Sequence, residues 1–246
     1  MRAADLRCRD ADAAFPLFDL PAEAVELVLG CVDGLEDKRA LRLVCKRTRA
    51  SVDSRVVAFD AGRWPAEPLG KRQLSALVRA PWQLRRLDLS GRKLGDADAA
   101  ALAAAAWPGL RELWLGDNRL GPTGAASLEA AAWPSLQTLW LGFNRLGDAG
   151  AAALAAARLP ALRELRLYGN NLGPAGAASL EAARWPSLQT LWLGSNNIGD
   201  AGAAALVAAH FPALQTLHLD VNGISSEGRA LLQARWPTAE IITAWD

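Results

Sequence analysis

The sequence predicts an α/β solenoid, with a parallel β-sheet on its concave side and helices on its convex side, preceded by a small helical module. Three observations predict it. A 26-residue unit recurs without slipping, its frame Leu-x-x-Leu-x-Leu opening at Leu84, Leu110, Leu136, Leu162, Leu188 and Leu214. Within each unit a short alternating stretch, as in Leu139-Trp140-Leu141, gives way to an alanine-rich run such as 151–157. Residues 1–83 lack the period altogether. A fixed period of this size marks stacked units, none of which buries its apolar face alone.

Along the chain, residues 1–15 form a polar N-terminus of mixed charge, and 16–55 a helical module. Pro21 suits a first helical position, with Glu23 and Glu26 in or near the first turn. Val25, Val28, Leu29 and Val32 then make an apolar stripe at helical spacing. Asp33-Gly34 breaks it, and Leu41, Val44 and Cys45 begin a second stripe. A bundle this small needs a partner surface to be stable. The segment resembles an F-box at Leu20-Pro21, Glu23, Val28-Leu29, Val32, Asp37, Leu41 and Val44-Cys45-Lys46, and departs from that pattern at Lys38 and Thr48. The resemblance implies a Skp-type adaptor bound within a cullin–RING ubiquitin ligase, with Leu20, Pro21, Val28, Leu29 and Val32 as its contacts. The competing reading is a helical cap over the first strand of the array.

Residues 56–83 link the module to the array and cap it, with an irregular strand expected near Arg55–Phe59 and a short helix over Gln73–Val78. The six repeats occupy 84–235. In the repeat at Leu136, the period of a strand points Leu136, Leu139, Leu141 and Leu146 into the core. Asn144 follows at the turn, so Asn118, Asn144, Asn170, Asn196 and Asn222 are expected to stack as a buried ladder that satisfies neighbouring backbone. Arg92 occupies that place in the first repeat, so the ladder begins at the second. Asp148 is expected to cap the first turn of its helix, and Pro122 and Pro174 to open theirs. The helix ends ahead of Leu159-Pro160, or Trp-Pro elsewhere, because a residue before proline avoids helical backbone. Trp107, Trp133, Trp185 and Trp236, with Leu159 and Phe211, close these corners from inside.

Leu136, Leu139, Leu141, Asn144, Leu146, Gly150 and Leu154, with their equivalents, resemble the ribonuclease-inhibitor-like class of leucine-rich repeats over Leu84 to about Gly228. The unit is shorter than that class commonly uses, which implies a thinner helical layer and an open arc. A 52-residue superperiod overlies the first, since Gly121–Leu172 closely matches Gly173–Ile224. Residues 236–246 read as a truncated strand capping the array, with Ile242 and Ala244 inward.

The side chains pointing out of the sheet form three columns. The central one is Asp88, Trp114, Trp140, Arg166, Trp192, His218. The flanking ones are Arg86, Glu112, Thr138, Glu164, Thr190, Thr216 and Ser90, Gly116, Gly142, Tyr168, Gly194, Asp220. Arg166 between two tryptophans predicts cation–π contacts, and the glycines are expected to leave the indole faces open. Aromatic anchors beside arginine match the composition of interaction hot spots, so Trp114, Trp140, Glu164, Arg166, Tyr168, Trp192, His218 and Asp220 are the candidate binding residues for a protein partner.

Composition excludes other classes. Formal net charge is +1, with 27 Lys/Arg against 26 Asp/Glu, unlike a nucleic-acid binder. Three cysteines without a CxxC argue against a disulfide framework or a zinc site. No apolar run is long enough to cross a membrane, and the N-terminus lacks a signal-peptide core, so an intracellular monomer, cytoplasmic or nuclear, is expected. His218 and Asp220 share a face, but no serine or cysteine is placed beside them, and neither a catalytic nor a cofactor-binding residue is assigned. Three functions follow: substrate receptor of a Skp–cullin–F-box type ubiquitin ligase, leucine-rich scaffold without an adaptor, or GTPase activator. The last rests on a resemblance of Leu146-Gly147-Asp148-Ala149-Gly150-Ala151 to repeats of the Ran GTPase-activating family, whose acidic tail is absent here.

Overall fold

The computed structural model describes residues 58–60, 74, 78, 84–105 and 107–243. The F-box-like segment 16–55, including Leu20, Pro21, Val28, Leu29 and Val32, lies outside the described residues, as does Ala244.

Eight strands form one parallel sheet in sequence order: β1 (Ala58–Asp60), β2 (Arg86–Asp88), β3 (Glu112–Trp114), β4 (Thr138–Trp140), β5 (Glu164–Arg166), β6 (Thr190–Trp192), β7 (Thr216–His218) and β8 (Glu240–Ile242). Helices α1 (Asp96–Ala103), α2 (Pro122–Glu129), α3 (Gly147–Ala156), α4 (Pro174–Ser179, continued by the 3-10 turn Leu180–Ala182), α5 (Gly199–Leu206) and α6 (Ser226–Arg235) alternate with them. Stacked strands repeat every ~4.8 Å, while stacked helices need about 10 Å each, so the array curves with the sheet on its concave side. Ahead of it, Leu74 is helical and buried and Val78 is helical and half-buried, in line with the short helix expected there.

Leu87, Leu113, Leu139, Leu165, Leu191 and Leu217 stand in register and form one core column. Every one of them is at most 1% exposed, so each contributes the full burial of a leucine side chain, about 1.5–3 kcal/mol. The corner residues Trp107, Trp133, Leu159, Trp185, Phe211 and Trp236 are buried as expected, and Phe211 stacks on Trp185 at 5.9 Å and on Trp236 at 6.2 Å.

The asparagine ladder begins at the second repeat. Asn118 Nδ2 donates to Leu89 O and Leu115 O, both at 3.0 Å, and its Oδ1 accepts from the Arg92 and Leu94 N–H groups. Asn144, Asn170, Asn196 and Asn222 repeat the arrangement, each donating to carbonyls of its own repeat and to one in the repeat before. The residue before each ladder position is left-handed: Asp117, Phe143, Gly169, Ser195 and Val221 all lie between φ 52° and 65°. That backbone favours glycine, and a phenylalanine and a β-branched valine hold it here under strain.

Two expectations need correction. Asp148 does not cap its own helix. That helix starts at Gly147, so Asp148 sits inside the first turn and its carboxylate reaches the next repeat. Its Oδ1 accepts from the Gly173 N–H at 2.7 Å and the Gly176 N–H at 2.9 Å, where α4 has only glycine as its N-cap. Asp96 serves Gly121 ahead of α2 in the same way, and Asp200 serves Ser225 ahead of α6. A Cβ at Gly176 would stand 2.5 Å from Asp148 Oδ1, and one at Gly124 would stand 2.6 Å from Asp96 Oδ1, so glycine makes room for the incoming carboxylate. The second correction is at the C-terminal strand. Ile241, not Ile242, joins the core column opposite Leu217, and Ile242 continues the outward column beyond His218. In earlier repeats two successive N–H groups share one carbonyl, as Gln215 and Thr216 do on Gln189 O, whereas only the Glu240 N–H bonds Gln215 O. The last connection is two residues shorter than the others: Ile241 follows Leu217 by 24 positions where Leu217 follows Leu191 by 26, so the inward alternation falls on Ile241 and leaves Ile242 outward.

Candidate functional site

Because the strands are in register, Asp88, Trp114, Trp140, Arg166, Trp192 and His218 form one row across the concave face. From Trp114 to His218 neighbouring side chains touch. Trp114 and Trp140 meet edge-on at 4.6 Å between ring centroids. The Arg166 guanidinium lies 5.3 Å from the Trp140 ring and 5.1 Å from the Trp192 ring, so the expected cation–π sandwich is present. Arg166 is held there by Glu164, whose Oε1 is 2.7 Å from both Nε and Nη2. His218 stacks on Trp192 at 3.4 Å with the rings 5° from parallel. At the other end Arg86 lies 4.7 Å from the Trp114 ring and 3.7 Å from Glu112.

The glycines do not leave the indoles open. A Cβ at Gly116 would lie 2.9 Å from Trp140 Nε1, one at Gly142 2.5 Å from the Tyr168 ring, and one at Gly194 2.6 Å from the Asp220 carboxylate. Each glycine is the floor on which a side chain of the following repeat lies. The faces are thus used internally, and Trp114, Trp140, Glu164, Arg166, Tyr168, Trp192 and His218 are all half-buried. What the row offers a partner is a continuous edge of aromatic and guanidinium groups, already ordered and therefore bound at little entropic cost.

Phe143 was not among the sequence-derived candidates. It is 56% exposed, packs edge-on against Tyr168 at 4.9 Å, and extends the aromatic cluster from Trp140 through Tyr168 to the turn side of the face. The signal for it was an aromatic at a position where other repeats carry Asp117, Gly169 and Ser195.

Burial pushes the His218 imidazole below its ordinary value; Asp220 and Glu240 pull the other way and Arg166 adds to the lowering. The ring is therefore neutral near pH 7. Asp220 is 8% exposed and its carboxylate makes no hydrogen bond or ion pair among the described residues, so it does not orient His218 as a catalytic partner would. Burial likewise raises the Tyr168 hydroxyl above its ordinary value, keeping it protonated. Among the described residues no three His, Cys, Asp or Glu side chains gather as a metal site, and no helix is long and apolar enough to cross a membrane.

Residues 134–155, 159–180 and 186–207 each match the family model described as Leucine Rich repeat. Three successive units of the array are thus leucine-rich repeats by that model. The array is similar in structure to the leucine-rich ectodomain of the plant membrane receptor kinase GASSHO1/SCHENGEN3 from Arabidopsis thaliana, solved in complex with Casparian strip integrity factor 2. The identity is 20% and the TM-score 0.40, over 72% of this chain and 20% of that one. It is also similar to the mouse RP105/MD-1 complex, at 17% identity and TM-score 0.44, over 76% of this chain and 28% of that one. This chain spans less than a third of either of those proteins. No curated protein matches it.

Proposed function

We propose that this chain is a non-enzymatic, intracellular, monomeric protein-binding subunit: its concave leucine-rich face holds a substrate protein, and its N-terminal module joins a Skp-type adaptor of a cullin–RING ubiquitin ligase. The observation that carries the binding face is the row Trp114–Trp140–Arg166–Trp192–His218, a preordered strip of hot-spot residue types left half-exposed on a sheet that no other described element covers. The adaptor half rests on the F-box resemblance at Leu20-Pro21, Val28-Leu29 and Val32. The ribonuclease-inhibitor-like subtype is proposed on the repeat pattern and on a helix in every unit.

Calorimetry of the purified chain with a Skp-type adaptor tests the adaptor half. Sub-micromolar binding that is lost in a Leu20→Ala/Pro21→Ala/Leu29→Ala variant supports it, and no binding by a folded wild-type chain rejects it. The second reading, a leucine-rich scaffold whose N-terminal segment only caps the array, is favoured by Lys38 and Thr48, the two departures from the F-box pattern. A GTPase turnover assay separates both from an activating role, since neither predicts any rate enhancement.

A further inference from the structure

Charge and stacking recur as a set on the concave face. Arg86 lies over Trp114 with Glu112 beside it. Arg166 lies between Trp140 and Trp192 with Glu164 bonded to it. Each set is an arginine, an aromatic plane and a carboxylate. At the C-terminal end of the row the aromatic plane and the carboxylate recur without the arginine: Trp192 and His218 stack, and Asp220 stands in the neighbouring column with its carboxylate over Gly194.

Asp220 as a residue is 8% exposed, and among the described residues nothing donates to its carboxylate, whose oxygens are not among the fully buried ones. The carboxylate therefore keeps its charge unpaired by protein while its oxygens stay within reach of solvent, so a cation arriving at the concave face can bond it directly. The surroundings sharpen that preference. Burial keeps the His218 ring neutral, so one ring nitrogen is an acceptor rather than a competing donor. Glu240 adds negative charge nearby, and Arg166, the one cation among the described residues that acts on His218, is already engaged by Glu164. One carboxylate and one imidazole are too few ligands for a metal ion, and an anion is repelled. A planar guanidinium or an ammonium satisfies both the carboxylate and the adjacent aromatic edge.

We propose that Asp220, with Trp192 and His218, is a cation-receiving subsite of the concave face that takes an arginine or lysine side chain from an extended segment of the bound protein. This rests on the reading of that face as the binding face. The partner side chain completes the third arginine–aromatic–carboxylate set on the row, and its position fixes the direction in which the segment lies across the strands.

The test is selection of a phage-displayed random dodecapeptide library against the full-length chain, followed by affinity measurement of the selected peptides. The variants are Asp220→Asn, Trp140→Ala and Asp117→Asn, each checked for native near-UV dichroism. The expected peptides carry arginine or lysine at one fixed position, bind Asp220→Asn about tenfold or more weakly, and bind Asp117→Asn, an exposed turn carboxylate, as they bind wild type. Peptides that lose affinity in Trp140→Ala but not in Asp220→Asn overturn the subsite and leave the binding face standing. Peptides indifferent to both, or a selection that yields none, overturn the subsite and the binding face together.

Discussion

The repeats opening at Leu84, Leu136 and Leu188 and those opening at Leu110, Leu162 and Leu214 share one leucine frame but start their helices differently. The first set carries Asp96, Asp148 and Asp200; the second carries Gly121, Gly173 and Ser225 at the N-cap, with proline after both glycines. Each aspartate reaches forward to the N-terminus of the next helix. The 52-residue superperiod is thus a physical unit of donor and acceptor, while the core column ignores it. Duplication in steps of two keeps every aspartate paired, and loss of a single repeat leaves one helix without its cap.

The largest effects should show no parity. Leu139→Ala, in the first set, and Leu165→Ala, in the second, remove equally buried members of one column. Each should cost about 2–5 kcal/mol by chemical denaturation, and the two should agree. A difference of several kcal/mol between them breaks the claim that the core is indifferent to the alternation.

The capping contact should show it strongly. Asp148→Ala removes the acceptor for two N–H groups of the next helix and should cost about 1–2 kcal/mol. Gly176→Ala should destabilise the wild-type chain because its Cβ meets Asp148 Oδ1. In the Asp148→Ala background the same change should cost less, because the carboxylate contact is gone while those at 3.1 Å to the Cα of residue 148 and to Leu172 Cδ2 remain. A double-mutant cycle with no coupling would sink the donor–acceptor pairing.

The left-handed turn position gives a smaller effect, independent of parity. Val221→Gly should stabilise the chain by about 1 kcal/mol, because valine at φ 52° is strained and glycine is not. Gly169→Ala should do the reverse, both through its φ of 65° and because its Cβ would meet the Phe143 ring. Thermal melts of the two variants check the pair of signs.

The smallest effect is in pH. His218 titrates below its ordinary value of 6.5 because burial disfavours its charged form. As pH falls through 6.5 the unfolded chain takes up the proton first, so stability present above that pH is lost as the solution becomes more acidic. Melting temperatures between pH 7.5 and 5.5 should fall less steeply for His218→Asn than for wild type; parallel curves would show that the Trp192 stack imposes no such penalty.

The concave row was legible because a strict period and a two-residue alternation together place every outward side chain. Trp114, Trp140, Arg166, Trp192 and His218 stand in the predicted column, with Arg166 between the two indoles. The glycine column was misjudged because a missing side chain in one repeat says nothing of which neighbour fills the space. Tyr168 and Asp220 fill it from the following strand. Phe143 escaped notice for a related reason: its exposure follows from a left-handed turn that the ladder imposes, not from any apolar periodicity.

Sequence alone therefore determined the period, the parallel order of strands, the leucine core, the asparagine ladder and the identity of the outward row. All are consequences of local alternation and repetition, which one chain displays in full. Only the tertiary structure decided where Asp96, Asp148 and Asp200 send their carboxylates, that β8 turns Ile241 inward, and that the Asp220 carboxylate has no donor among the described residues beside Trp192 and His218. These depend on contacts between residues about 25 positions apart whose side-chain directions no local pattern specifies, and they are settled when the repeats stack.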